Sequence, residues 1–239
     1  MCVNDSILVK LRDSRLTWPI QRIVEKLGIS IVAKSSHLDF QLKYFVNKFQ
    51  LEYCIDVGAH HGEFVHRLHR LNCELETICF EPSSDACKIL QSKFSSQIKI
   101  ESFAITPEKG TFELFETGSV LASLKRRDGV DEIIKSEKVH GITLEEATLK
   151  LQKELWVKTL LKVDVQGGEL EVLRSGEEFL KQCPVVITEA PLRDFYHNSY
   201  NIEELISYMG QLNFVIGAIH TPRFLGGNPI DCDIIFVRI

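Results

Sequence analysis

Four carboxylates stand where an apolar strand pattern runs out. They are Asp56 in Tyr53-Cys54-Ile55-Asp56-Val57, Glu81 after Ile78-Cys79-Phe80, Asp164 in Leu160–Val165 and Glu189 after Val185-Val186-Ile187-Thr188. An acid so placed can accept hydrogen bonds from ligand hydroxyls, balance a cation, or take a proton from a nucleophile. The first lies just before a glycine turn, Gly58-Ala59-His60-His61-Gly62, that leads into a helix from about Glu63. A strand feeding straight into a helix needs a sharp turn, and glycine supplies backbone conformations that other residues resist. Gly58 is expected to let the main chain approach a ligand, and Gly62 to open a helix whose free N–H groups face that ligand.

The spacing narrows the ligand. The turn reads GxxxG rather than GxGxxG, because His60 takes the place of the middle glycine that admits a pyrophosphate. A cofactor without pyrophosphate is implied, and S-adenosylmethionine (SAM) fits. Its ammonium group needs an acid or carbonyl, which Asp56 supplies directly or through water. Its ribose diol needs a second acid, which Glu81 supplies 25 residues later. The competing reading is a plain strand-to-helix turn with Asp56 as a cap-like residue. The missing GxGxxG disfavours a nicotinamide oxidoreductase. No metal site is expected, since adjacent His60 and His61 in a turn should aim apart and no CxxC or HxxxH supports them.

The elements that must position these residues alternate. Strands are expected at 53–57, 76–81, 98–105, 110–117, 160–165 and 185–189, with helices from about Glu63 to Leu71, at 84–94 and from about Glu169 to Arg174. Residues 118–140 read as an excursion from the sheet, ending in a short strand at 139–142. Thr143 then caps a helix in TLEEATLKLQ, with Glu145 and Glu146 in its first turn. A helix at 202–212 precedes the final strands at 214–220 and 232–239, which are joined by a loop too short for a crossover and so pair antiparallel. The expected fold is α/β and Rossmann-like: a mostly parallel seven-stranded sheet with helices on both faces and a C-terminal antiparallel hairpin. It occupies residues 51–239, after a helical extension or cap at 1–50 with apolar positions at helical spacing. Ligands of such sheets bind outside the carboxyl ends of the strands, where all four acids stand.

The net charge of −5 and pI of about 5.9 argue against a nucleic-acid partner, and Lys125-Arg126-Arg127 reads as a solvated loop. The seven cysteines match no zinc spacing, and Cys54, Cys79 and Cys232 fall in apolar strands, which suggests a reducing, cytoplasmic setting. The N-terminus is too charged for a signal peptide, and no apolar run is long enough to span a membrane.

Together these motifs resemble the FkbM family of SAM-dependent methyltransferases over residues 50–238. Asp56–Gly62 is similar to its Asp-Val-Gly-Ala-Asn-x-Gly, and Phe80-Glu81-Pro82 to its Phe-Glu-Pro. Ala122-Ser123-Leu124 resembles its Ser-Ser-Leu, Thr143-Leu144-Glu145 its Thr-Leu-Asp, and Lys162–Glu169 its Lys-x-Asp-x-Glu-Gly-x-Glu. The late Glu, Tyr and Asp-x-x-Phe-Val-Arg features fall on Glu189, Tyr196 and Asp233–Arg238. His60 departs from the usual Asn, Gln166 from a Glu, and Ser123 keeps half of a Ser-Ser pair.

The resemblance implies a class I methyltransferase acting on a hydroxyl of a sugar or secondary metabolite. Alternatives are a peptide-modifying N- or O-methyltransferase and a non-catalytic partner that keeps the fold. The cofactor set is expected to be Asp56, Gly58, Ala59, His60, Gly62, Phe64, Glu81, Pro82, Ser83, Ser123 and Asp164, with Phe103 and Ala104 under an adenine ring. Asp164 or Glu189 is the expected base, and Gln166, Glu189, Arg193 and Tyr196 are expected to line the pocket for a small-molecule, glycan or peptide acceptor.

Overall fold

A strand buried on both faces is apolar throughout, and Tyr53–Val57 (β1) meets that condition with one exception, Asp56. In the computed structural model, residues 38–94, 96–117, 122–125, 133–193 and 200–239 are described. All described residues belong to one compact unit, Leu38–Ile239. The expected helical segment at 1–50 is therefore seen only from residue 38, where Leu38–Lys48 (α1) buries Leu38, Leu42, Phe45 and Val46.

From β1 the chain winds outward through Glu63–Arg70 (α2), Glu76–Phe80 (β2), Ser84–Phe94 (α3) and Ile98–Glu101 (β3). It returns to the other side of β1 as Thr159–Val163 (β8), after the segments Ala104–Ile105 (β4), Gly110–Thr117 (β5), Ala122–Ser123 (β6), Ile133–Ile142 (β7) and the helix Leu144–Thr148 (α4). Glu169–Arg174 (α5), Glu177–Leu180 (α6), Val185–Pro191 (β9), Ile202–Gln211 (α7), Phe214–Ile219 (β10), Arg223–Leu225 (β11) and Asn228–Arg238 (β12) complete it. The sheet order is β10-β12-β9-β8-β1-β2-β3, with β11 as an eighth strand on β12. Strands β9, β8, β1, β2 and β3 run parallel, and β12 lies antiparallel between β9 and β10. The order reverses between β1 and β8, and such a switch point opens a crevice at the carboxyl ends.

Alternation along the strands sorts the side chains between two cores. Ile55, Val57, Leu161 and Val163 face one, which also holds Trp156 and Phe179. Cys54, Leu160, Val185, Ile187 and Ile235 face the other, under α1 and α2. With a period of two, Asp56, Lys162, Glu189 and Asp233 continue this second set toward the crevice.

Three expectations need correction. Residues 98–105 are not one strand: the Phe103 N–H turns back to the Glu101 carbonyl at 2.9 Å, and β4 leaves for a second sheet of order β4-β7-β5-β6. The stretch read as an excursion holds the ten-residue β7, paired antiparallel with β5. Its centre, Lys135-Ser136-Glu137-Lys138, is a run of four polar residues and lacks the apolar run of a buried strand. The helix after Thr143 stops at Thr148, although the Thr143–Glu146 capping box forms as expected. Gly226-Gly227 is the turn of a small β11–β12 hairpin within the expected loop.

Candidate active site

The glycine turn owes its shape to packing beneath it. Gly58 has φ +74°, and a Cβ there would collide with the Asp164 carbonyl oxygen at the adjoining strand end. The close approach expected toward a ligand is thus first an approach of β1 to β8. Gly62, at φ +81°, leaves space for Phe94 and Leu90 of α3 and is not on a cavity wall. His60 sits at φ +47°, a left-handed conformation in which Asn, Asp and His are enriched, so His can stand where the family carries Asn. Its ring stacks on His61 at 3.7 Å. The two rings do not aim apart as expected: ligand atoms of His60, His61 and the exposed Glu63 lie within 4.8 Å of one another.

That conformation points the His60 N–H at Glu81. Glu81 Oε2 accepts from His60 N at 2.7 Å and Oε1 from Ser83 N at 2.8 Å. Burial raises the carboxyl above its ordinary value, and these two N–H groups pull it back. Each carboxylate oxygen has a second acceptor site beyond its N–H bond. Ser83 also receives the Ala86 N–H on its hydroxyl at 3.4 Å, at the start of α3.

Glu81 borders a cavity of about 580 Å³ at the carboxyl edge. The size is that of a small-molecule site. Gly58, Ala59, His60, Phe64, Pro82, Ala104, Ser123, Asp164, Gln166 and Glu189 share its wall, so most of the expected site residues do come together. Ser83, Phe103 and Arg193 do not line it. Phe103 packs against the core under Lys150, and exposed Arg193 donates to Asn228 Oδ1 at 3.1 Å. Tyr196 lies outside the described residues.

Asp56 does not line the cavity either; it reaches the site through Lys162, its register partner on β8. Lys162 Nζ lies 3.2 Å from Asp56 Oδ1 and 3.5 Å from Asp164 Oδ2, and donates to the Gly58 carbonyl at 3.0 Å. Neither oxygen of the fully buried Asp56 has a hydrogen-bond donor among the described residues, so Lys162 balances its charge without satisfying its geometry. Burial pushes the Asp56 carboxyl up and Lys162 pulls it down. Burial would lower Lys162, but Asp56 and Asp164 carry it above its ordinary value. A lysine inside an apolar strand, two residues before the expected base, was the available signal for this link.

Asp164 is also held from its other side: Gln166 Nε2 donates to Oδ1 at 2.7 Å, while Ser123 Oγ donates to the Gln166 carbonyl at 2.8 Å. Asp164, Glu169 and Glu189 converge, with carboxylate oxygens within 4.8 Å of one another. Glu169 is tied down by the N–H groups of Val165 and Gly167 and by the Tyr200 hydroxyl, which donates at 3.0 Å. Glu189 meets Arg223 of the hairpin, Nη2 to Oε2, at 2.5 Å. Burial, then Asp164, push the Glu189 carboxyl up to about 9 against the pull of Arg223. Glu169, Tyr200 and Arg223 were missed in the sequence because their partners are distant in the chain or, for Glu169, are backbone N–H groups.

The site thus joins a glycine turn, a buried acid at the end of β2 and an acidic end beside β9. The profile of the methyltransferase FkbM domain matches residues 56–216, well over half of the chain. The chain belongs to the FkbM methyltransferase family. Among curated proteins none matches it. Solved structures similar to it include an rRNA methylase from Streptococcus thermophilus (8% identity, TM-score 0.48, covering 87% of this chain and 99% of that one). Others are precorrin-6y C5,15-methyltransferase from Geobacter metallireducens GS-15 (9%, 0.45, 87% and 93%) and SAM-bound magnesium protoporphyrin IX methyltransferase from Synechocystis PCC 6803 (12%, 0.43, 100% and 99%). These are loose likenesses.

As an FkbM methyltransferase the protein is an enzyme whose methyl donor is SAM. The residues present fit that donor. The cavity wall offers Glu81, a buried carboxylate with spare acceptor sites for a diol. No helix among the described residues is long and apolar enough to cross a membrane.

Proposed function

We propose that this enzyme methylates a hydroxyl of a sugar or secondary metabolite, with Asp164 as the base. The observation that carries the reading is the convergence of Asp164 and Glu189, at the ends of β8 and β9, on a cavity that Glu81, beyond β2, also lines. In this reading Gly58, Ala59, His60 and Phe64 border the cofactor, Glu81 receives its ribose hydroxyls, and Ala104 lies beside its base. Pro82 and Ser123 close that wall; Asp56 acts through Lys162.

SAM supplies an already activated methyl group, so the protein's task is positioning and proton removal. Asp164 is oriented for this from two sides, by the Gln166 amide and the Lys162 ammonium. It would receive the acceptor's hydroxyl proton within hydrogen-bond reach. Glu189, whose carboxyl burial and Asp164 push up against the pull of Arg223, would hold the acceptor oxygen beside it. Gln166, neutral where the family has Glu, avoids a further charge beside Asp164. The net charge of −5 and the acidic acceptor end favour a small acceptor over a polyanionic one.

The test is calorimetric titration with SAM, S-adenosylhomocysteine and NAD, followed by a screen of hydroxylated sugars and metabolites. Binding of the first two and not of NAD, with methyl transfer to a hydroxyl, supports the reading. Binding without transfer to any hydroxyl, but with transfer to a peptide amide, would replace it.

A further inference from the structure

Arg223, on β11, falls in no family motif quoted above, yet it places a cation on the acceptor end. Arg223 Nε and Nη2 meet the two carboxylate oxygens of Asp231 at 2.5 and 2.6 Å, and Nη2 also meets Glu189 Oε2 at 2.5 Å. One guanidinium thus joins three strands, β11, β12 and β9. The register explains the aim. Leu225 pairs with Asn228 and Phe224 with Pro229, but Arg223 pairs with Asp231, so Ile230 is an extra residue on β12. The bulge lies on β12, the strand that carries Asp231, and brings Asp231 rather than Ile230 opposite Arg223; bulges are over-represented beside active sites. By ordinary alternation Arg223 then lines the cavity wall while Phe224 is 61% exposed on the other face.

A surface arginine pair would contribute little. Arg223 is itself half exposed, and what sets it apart is its geometry: the fork on Asp231 fixes the guanidinium plane, and the other contact falls on the buried Glu189 carboxyl. The other charged groups facing Glu189 are Asp164 at the end of β8, Glu169 on α5 and Asp231 on β12, with Asp233 its register partner and Lys162 on the neighbouring strand. The acids outnumber the cations, so Arg223 is the group that opposes a shared proton among them.

We propose that Arg223 is a positioning residue of the acceptor end: its guanidinium, held by the fork on Asp231, orients the Glu189 carboxyl and sets how readily that carboxyl ionises. The proposal rests on the reading that Glu189 borders the acceptor. It makes the hairpin, and not the parallel sheet alone, part of the site.

The experiment is a carbon-13 titration of the glutamate side-chain carboxyls in the full chain, with Glu189 assigned by its loss in Glu189→Gln. It needs no acceptor. In Arg223→Gln the Glu189 midpoint is expected to rise by about 1–3 pH units, the effect of removing an opposite charge at this distance. Arg223→Lys should restore most of the wild-type midpoint, and Phe224→Ser, which alters the same hairpin on its exposed side, should leave it in place. A Glu189 midpoint unchanged in Arg223→Gln overturns the proposal, as does an equal rise in Phe224→Ser. The underlying reading fails separately, if Glu189→Gln leaves turnover and acceptor KM unaltered.

Discussion

Gly58 and Asp164 meet backbone to backbone: the space that a Cβ on Gly58 would fill is held by the Asp164 carbonyl oxygen. The glycine turn and the expected base are thus parts of one packed junction between β1 and β8. Gly58→Ala is expected to force that junction apart and to strain a backbone held at φ +74°. Strain of this kind costs about 1–3 kcal/mol before the collision is counted. A chain of this size loses roughly 2–4 °C of melting temperature per kcal/mol. Thermal unfolding should therefore show a drop of several degrees, with weaker SAM binding. A variant with the wild-type melting temperature and affinity would show that the junction yields freely.

Glu81 tests the cofactor end. Its two oxygens already fix the N–H groups of His60 and Ser83, so Glu81→Ala removes an acceptor for the ligand and leaves two buried donors unpaired. SAM affinity should fall by about 1–3 kcal/mol. Glu81→Gln keeps one acceptor oxygen and should lose less. An unaltered dissociation constant in the alanine variant would remove Glu81 from the ribose site.

The strands at 53–57 and 185–189, the glycine turn and the capping box at Thr143 were legible because local chemistry decides them. A buried parallel strand must be apolar, and a left-handed turn favours glycine. The second sheet was not legible. Its β7 strand carries Lys135, Glu137 and Lys138, and it is defined by its pairing with β5 and not by hydropathy. The acids at the sheet edge could be read individually, but their counter-charges could not. Lys162 and Asp56 are 106 residues apart in sequence and meet only through strand register. Arg223 and Glu189 are 34 residues apart and meet only because the β11–β12 hairpin folds back beside β9, which no spacing rule reveals.

Asp164 and Gln166 form a second testable pair. Asp164→Asn should retain the contact region around Lys162 and bind SAM with nearly wild-type affinity, while turnover on the acceptor found by screening falls about 100-fold or more. Gln166→Glu exchanges an amide donor at 2.7 Å from Asp164 Oδ1 for a second carboxyl. Two carboxylates so close favour a shared proton, so the acidic limb of the pH–rate profile should move to higher pH. Full turnover in Asp164→Asn would exclude it as the base.

The last prediction concerns stability against pH. Burial, and then Asp164, raise Glu189 from 4.5 to about 9 in the folded chain. Below pH 4.5 the group is protonated in both states and contributes no pH dependence. Between 4.5 and about 9 the unfolded chain has released a proton that the folded chain still holds, so this group makes stability fall as pH rises. The slope from one such group is at most about 1.4 kcal/mol per pH unit. Asp56, Glu169 and Asp233 are raised in the same direction by burial and add to the trend. Urea unfolding at several pH values between mildly acidic and alkaline should show the wild type losing stability faster than Glu189→Gln, whose amide does not titrate. Parallel profiles for the two proteins would mean that Glu189 ionises in the folded state much as it does unfolded, with Arg223 fully offsetting its burial.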